Sequence, residues 1–307
     1  MNETGPQISI VIPVHNEEDN IEILYKEIRD SVDQLDRPYE IIFIDDGSSD
    51  TTFQCLKNIK NKEKEEGESP AETRVIRFSR NFGQTAAMQA GFDHAEGEII
   101  ISLDGDLQND PDDIPKLVSK LNEGYDLVCG WRKDRKDKTL TRIFPSKVAN
   151  WLIGKITGVP IHDNGCSLKA YRSSVIKSVK LYSAMHRFIP AMTTLAGARI
   201  AEMVVNHRPR KHGTTKYGLS RVWKVLFDMI TIKMLIHFRD RPLVWFAGLG
   251  LIFLCCGLGL GIASVLLFVQ GEQSIVYPAA SFLLLSLFGS LLSWGLLAEF
   301  FVNIEKR

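Results

Sequence analysis

Two aspartates one residue apart, Asp104 and Asp106 in "SLDGDLQNDPDDIP", follow directly on the apolar run "IIISL" at 99–103. Paired carboxylates after a buried strand suit a divalent cation that bridges phosphates. Mg2+ and Mn2+ prefer oxygen ligands, and Mg2+ usually takes one or two carboxylates with substrate phosphates completing its shell. Gly105 between them would let a diphosphate approach closely. An acidic turn by itself is weak evidence, but position strengthens it: two other strand-like runs also end in polar residues, His15-Asn16-Glu17 and Asp45-Asp46. The further carboxylates Asp110, Asp112 and Asp113 fit a polar loop and the acidic first turn of a helix.

The elements that must position these residues alternate in type. Strand-like runs at 8–14, 39–44, 74–78, 98–103 and 126–130 are separated by helical patterns at 17–35, 50–59, 85–95 and 112–121. The first helix is marked by Ile21, Leu24, Ile28, Val32 and Leu35, spaced three or four apart. Such alternation predicts an α/β fold with a mostly parallel sheet covered on both faces. Ligands of such sheets bind outside the carboxyl ends of the strands, which puts the three polar strand ends on one rim. Residues 131–206 are less regular, with helical segments expected near 140–157, 168–178 and 187–197 and a strand at 200–206.

No other catalytic signature competes. The chain has no G-x-x-x-x-G-K-[ST] loop, no G-x-G-x-x-G after the first strand, no H-E-x-x-H and no G-x-S-x-G. Lys plus Arg and Asp plus Glu both number 37, so net charge selects no partner, and no nucleic-acid partner is expected. The five cysteines lack C-x-x-C spacing and are expected as reduced thiols, without a disulfide framework or zinc site.

Charge is distributed unevenly along the chain. Residues 242–271 and 273–298 contain no charged side chain, and Glu272 alone separates them. As helices these runs span roughly 39 Å or more at about 1.5 Å per residue, against a hydrocarbon core of about 30 Å. Two membrane-crossing helices, at about 243–269 and 275–301, are therefore expected in a lipid bilayer. Basic residues flank this pair and are absent from its short loop, which predicts a cytoplasmic soluble part with both termini cytoplasmic, and a tail at 303–307. Between Glu202 and Asp228 lie six basic residues and no acidic one. The second half of that stretch, 219–238, is patterned as an amphipathic helix at the membrane surface. The expected organisation is a soluble domain at 1–206, a basic amphipathic segment at 207–241 and the spanning pair at 242–302. Small residues in "GLGLIFLCCGLGLGIAS" would allow close helix packing, compatible with a homo-oligomer.

Five stretches, "SIVIPVHNEEDNI", "IIFIDDGSSDTT", "RNFGQTAAMQAGF", "SLDGDLQNDPDDIP" and "DNGCSLKAYR", resemble the family 2 glycosyltransferases of GT-A fold. The carboxy-terminal hydrophobic pair and "RPRKHGTTKYG" narrow the resemblance to the polyprenyl-phosphate glycosyltransferases. The resemblance implies an enzyme taking one sugar from a nucleotide-sugar donor, UDP-hexose above others, to undecaprenyl or dolichyl phosphate, with inversion, at a bacterial inner membrane. It implies Mg2+ or Mn2+ held by Asp104, Asp106 and Gln108. Pro13, Asn16, Glu17, Asp45 and Asp46 would line the nucleotide pocket, with Arg80 near its rim. Arg132 and Arg142 would meet phosphate oxygens, and Arg210, Thr215 and Lys216 would receive the lipid phosphate. Some members carry an acidic residue where this chain has Ser167. The nearby Asp163 is then a base, an orienting residue, or a cap on a helix beginning near Ser167, and those readings stay open. Two alternatives are a processive polysaccharide synthase, which usually has more spanning helices and a Q-x-x-R-W string that is absent here, and a catalytically silent nucleotide-binding scaffold.

Overall fold

The computed structural model describes residues 5–66, 71–133, 150–151, 153–155, 157–181, 185–209, 241–272 and 274–305. The chain divides into two compact units, Met1–Met229 and Ile230–Arg307.

In the first unit, β1 (Ile8–Val14), β2 (Tyr39–Asp45), β3 (Ala71–Arg77) and β4 (Ile99–Ser102) are parallel. They alternate with α1 (Ile21–Val32), α2 (Thr52–Glu66) and α3 (Gln84–His94). After α4 (Ile114–Asn122) come β5 (Leu127–Trp131), β6 (Lys169–Arg172) and β7 (Ile200–Val204). The sheet runs β3-β2-β1-β4-β6-β5-β7, with β6 antiparallel to both its neighbours. β1 and β2 are buried along their whole lengths except at Pro13, as strands covered on both faces must be. The helical spacing in α1 is borne out: Ile21, Leu24, Ile28 and Val32 all face the core. Helix α3 lies so close to the sheet that a Cβ on Gly91 would come within 2.2 Å of Val11 Cγ1 and 2.8 Å of Ile44 Cδ1.

Strand order reverses direction between β1 and β4. That is the switch point where an open α/β sheet leaves a crevice beyond its carboxyl ends. Asn16 follows β1 and Asp104 follows β4 on either side of it. The rim expected from alternation alone is thus present in the fold.

One expected element is wrong. The helix at 168–178 is instead strand β6 followed by a short helix, α5 (Ser173–Lys177). The apolar and polar residues of "SLKAYRSSVIKSV" fit either period, and pairing with β4 and β5 decided for strand. No helix begins at Ser167, so Asp163 caps none there.

In the second unit α7 (Pro242–Val269) and α8 (Val276–Glu305) pack as an antiparallel pair, each long and apolar enough to cross a membrane. (α6, Ile189–Leu195, belongs to the first unit.) Small residues set their approach. A Cβ on Gly250 would meet Phe288 at 3.0 Å, and one on Gly257 would meet Leu285 at 3.0 Å. Ser281 Oγ donates to the Gly257 carbonyl at 2.7 Å, and Glu299 Oε2 accepts from Leu243 N at 3.2 Å, where the first helix leaves its amides unpaired. Part of the glycine stripe is therefore used within the hairpin itself.

Candidate active site

Asp104 and Asp106 stand in the turn that leaves β4. Leu107 between Asp106 and Gln108 has φ +59, a left-handed backbone that costs a residue bearing a Cβ roughly 1–2 kcal/mol. Its side chain is buried to within 1% of its surface, and burying a leucine contributes about 1.5–3 kcal/mol, so packing outweighs the strain. The turn returns Gln108 N to Asp106 Oδ1 at 3.2 Å. The sequence reading that Gly105 lets a diphosphate approach closely is corrected: a Cβ there would collide with Val14 Cγ1 at 2.7 Å, so the glycine serves packing against β1.

The two carboxylates are electrostatically coupled. Burial, and then the Asp106 carboxylate, push Asp104 up to about 6. Two such groups repel when both are ionised, and a cation between them removes the repulsion. Among the described residues no three His, Cys, Asp or Glu side chains converge on one point. A cation here would take its remaining ligands from Gln108, water or substrate oxygens, which is how Mg2+ is usually held. The donor set thus fits a hard divalent cation.

Around the pair, the residues expected from sequence to line a nucleotide pocket are tied into one scaffold. Asn16, with φ +55, accepts on Oδ1 from Ser49 N at 2.9 Å and donates its own N–H to Ser48 Oγ at 3.0 Å. Glu17 Oε2 accepts from Asn20 Nδ2 at 2.6 Å, and Pro13 is half-buried beside them. Asp45 is fully buried; its Oδ1 accepts from Ser48 N at 2.9 Å and Oδ2 lies 3.4 Å from Arg77 Nε. Asp46 is also buried and accepts from Phe82 N at 2.7 Å and Gly83 N at 2.9 Å. Both aspartates hold loops as folded. Arg80 lies over the Phe82 ring at 4.8 Å.

Gln84, the first residue of α3, donates to Asp104 Oδ1 at 2.7 Å and so links the loop held by Asp46 to the carboxylate pair. Gln84 was not among the residues expected at the site, since the helix was expected to begin one residue later, at Thr85. Nor were Lys169 and His186, which line the same pocket beside Asp104 with Asn164 and Ser167.

Arg132 and Asp163 meet as a fork. Nε reaches Oδ2 at 2.7 Å, Nη2 reaches Oδ1 at 3.0 Å, and the Arg132 amide adds a third bond at 3.3 Å. Asp163 is 3% exposed, and its own N–H donates to Glu202 Oε1 at 3.1 Å. Asp110 and Asp113 do stand in the loop and the acidic first turn read from sequence, but they also hold long-range partners. Both are buried: Asp110 pairs with Arg208 Nη2 at 2.6 Å and Asp113 accepts from Asn206 N at 2.6 Å. They fasten the segment after β7 to the turn after β4, where Arg208 N also donates to the Gln108 carbonyl at 2.9 Å. Arg142, Arg210, Thr215, Lys216 and the amphipathic helix expected at 219–238 lie outside the described residues.

The architecture defines the class: an open α/β domain with its crevice at the β1/β4 switch point and a paired-carboxylate turn beside it. The chain belongs to glycosyl transferase family 2, whose sequence profile matches residues 9–180. It is 44% identical over 273 residues to a dodecaprenyl-phosphate galacturonate synthase of Rhizobium johnstonii, covering 88% of this chain and 78% of that protein. It is 35% identical over 301 residues to an undecaprenyl-phosphate 4-deoxy-4-formamido-L-arabinose transferase of Shewanella sediminis, covering 97% and 87%. Among solved structures it shares a fold with glucosyl-3-phosphoglycerate synthase from Mycobacterium tuberculosis in complex with Mn2+, UDP and glucosyl-3-phosphoglycerate. The TM-score is 0.57 at 19% identity, over 76% of this chain and 81% of that one. The chain is accordingly a glycosyltransferase of GT-A-like fold.

Proposed function

We propose that the chain moves a single sugar from a UDP-sugar to the phosphate of a polyprenyl phosphate, with inversion, releasing UDP. The observation that carries the reading is the Asp104–Asp106 pair at the β1/β4 crevice, whose mutual repulsion a diphosphate-bound cation would relieve. The names of the two relatives support the acceptor, and the UDP and Mn2+ of the structural neighbour support the donor and cation.

Asp104, Asp106 and Gln108 would hold Mg2+ or Mn2+. When bound, the cation neutralises charge on the donor diphosphate and on the departing UDP. Pro13, Asn16 and Glu17 line the nucleotide side, with Asp45 and Asp46 fixing the loops around them and Arg80 at the rim. A phosphate monoester has its second pKa near about 6 and is largely dianionic at neutral pH, so its oxygen needs little help from a base. What it needs is relief from repulsion by the diphosphate, which guanidinium groups supply. Arg132 is suited to that role, and Asp163 acts by positioning it through the two-bond fork. Arg142, Arg210, Thr215 and Lys216 meet the acceptor phosphate. Residues 1–206 form the catalytic domain, 207–241 a basic juxtamembrane segment and 242–302 the anchor. The catalytic domain and both termini face the cytoplasm.

The full chain in detergent, given UDP-sugars, Mn2+ and undecaprenyl phosphate, should yield one lipid heavier by one sugar residue, read by mass spectrometry. A growing polymer would mark a processive synthase, and no transfer from any donor would mark a silent scaffold.

A further inference from the structure

Glu202 stands in the middle of β7, the last strand of the sheet, opposite Cys129 of β5. A glutamate on an edge strand ordinarily keeps its carboxylate in water, yet only 12% of this side chain is exposed. Its Oε1 accepts from two successive amides, His162 N at 2.8 Å and Asp163 N at 3.1 Å, and its Oε2 meets His162 Nδ1 at 2.7 Å. The His162 ring in turn lies flat on Trp131, which ends β5, with centroids 4.4 Å apart and planes 17° from parallel. The turn at 162–163 is thus held from two neighbouring strands.

That turn delivers Asp163, whose carboxylate takes Arg132 in the two-bond fork. The fork fixes the guanidinium only relative to Asp163; the contact that ties the Asp163 backbone to the sheet is Glu202. Two of the five guanidinium donors serve the fork, so the group can be held and still meet a phosphate. The loop runs on through Gly165 and Ser167, which line the pocket beside Asp104, and a Cβ on Gly165 would stand 3.3 Å from Arg132 Nη2. Arg132 also opposes the rise that burial and Asp106 impose on Asp104, so its charge is felt at the carboxylate pair. A group misplaced by about an ångström at a reacting centre can cost about a hundredfold in rate.

We propose that Glu202 is a positioning residue for the transfer: by gripping the amides of His162 and Asp163 it sets where Asp163 holds the Arg132 guanidinium. The inference rests on the role given to Arg132 under the transferase reading above. Reach and not charge is what the clamp uses, because the two amides are neutral donors and need only an oxygen at the right distance.

The test separates reach from charge in the full chain, with Mn2+, undecaprenyl phosphate and the UDP-sugar that wild type transfers. Glu202→Asp keeps the charge and draws the oxygens back by one methylene; kcat should fall by roughly tenfold or more. Glu202→Gln keeps an oxygen for both amides, and its NH2 can donate to His162 in the tautomer with a bare Nδ1, so kcat should stay within about threefold of wild type. Where the fork is already removed, in Arg132→Met with Asp163→Asn, adding Glu202→Asp should change kcat by less than about twofold. Thermal unfolding establishes that each variant is folded. Backbone hydrogen exchange, read by mass spectrometry, supplies a measure independent of transfer. Glu202→Asp should speed exchange at 160–166 and also at 128–133, where the Arg132 amide is bonded to Asp163. A Gln variant as slow as the Asp variant, or slower, would make charge the requirement and overturn the proposal. An equal loss with and without the fork would do the same, since a merely structural residue costs as much in either background. If wild type transfers no sugar at all, the transferase reading falls and exchange judges the clamp alone. Faster exchange at 128–133 in Glu202→Asp then supports it, and unchanged exchange there overturns it.

Discussion

At Asp104 a proton and a cation compete for one carboxylate. Its pKa is raised to about 6 by burial and by Asp106, so the acid form persists about two units higher than for an ordinary aspartate. A cation must displace that proton, and affinity for Mn2+ should fall as pH drops through 6. Titration followed by electron paramagnetic resonance should show roughly tenfold weaker binding at pH 5 than at pH 7.5. Equal affinity at both would remove Asp104 from the ligand set. The Arg132–Asp163 fork makes a different prediction. Removing one partner of a buried ion pair strands the other, at about 3–5 kcal/mol. If Asp163 acts only by positioning Arg132, a double-mutant cycle of Asp163→Asn and Arg132→Met should be strongly non-additive in kcat. The double variant would then be no slower than the worse single one. Additive losses would return Asp163 to the role of a base.

Helix α3 ties the sheet to the site, because its buried face lies on β1 and β2 while its first residue donates to Asp104. Gly91→Ala would place a methyl where Val11 and Ile44 already sit. It should destabilise the domain by roughly 1–3 kcal/mol and displace Gln84, seen as a lowered urea midpoint together with a raised KM for the donor. A change in stability with unaltered KM would separate the helix from the site. The same elements show what the sequence discloses. Residues 8–14, 39–44 and 98–103 are legible as strands because covered parallel strands are continuously apolar, and topology alone then brings their polar ends together. Strand β6 was hidden for the opposite reason. Four residues including a lysine carry no period, and only pairing with β4 and β5 assigns them. The fates of Asp110 and Asp113 were equally illegible, since their partners Arg208 and Asn206 lie more than ninety residues away.

For the molecule as a whole, a catalytic unit and a two-helix apolar unit occupy one chain, which is the arrangement a soluble donor and a lipid acceptor require. The helical pair was legible from its uncharged length, and the structure adds how the helices are fastened, through Gly250, Gly257, Ser281 and Glu299. The catalytic claim depends on a cation at the turn after β4. The most direct measurement sets wild type beside Asp106→Asn, with UDP-sugar donors, Mn2+ and undecaprenyl phosphate, and weighs the lipid product by mass spectrometry. Wild type should give undecaprenyl phosphate carrying one sugar, and the variant, folded by circular dichroism, should lose transfer by a factor of about a hundred or more, the scale of losing one electrostatic stabiliser. A variant that transfers at the wild-type rate would contradict the account.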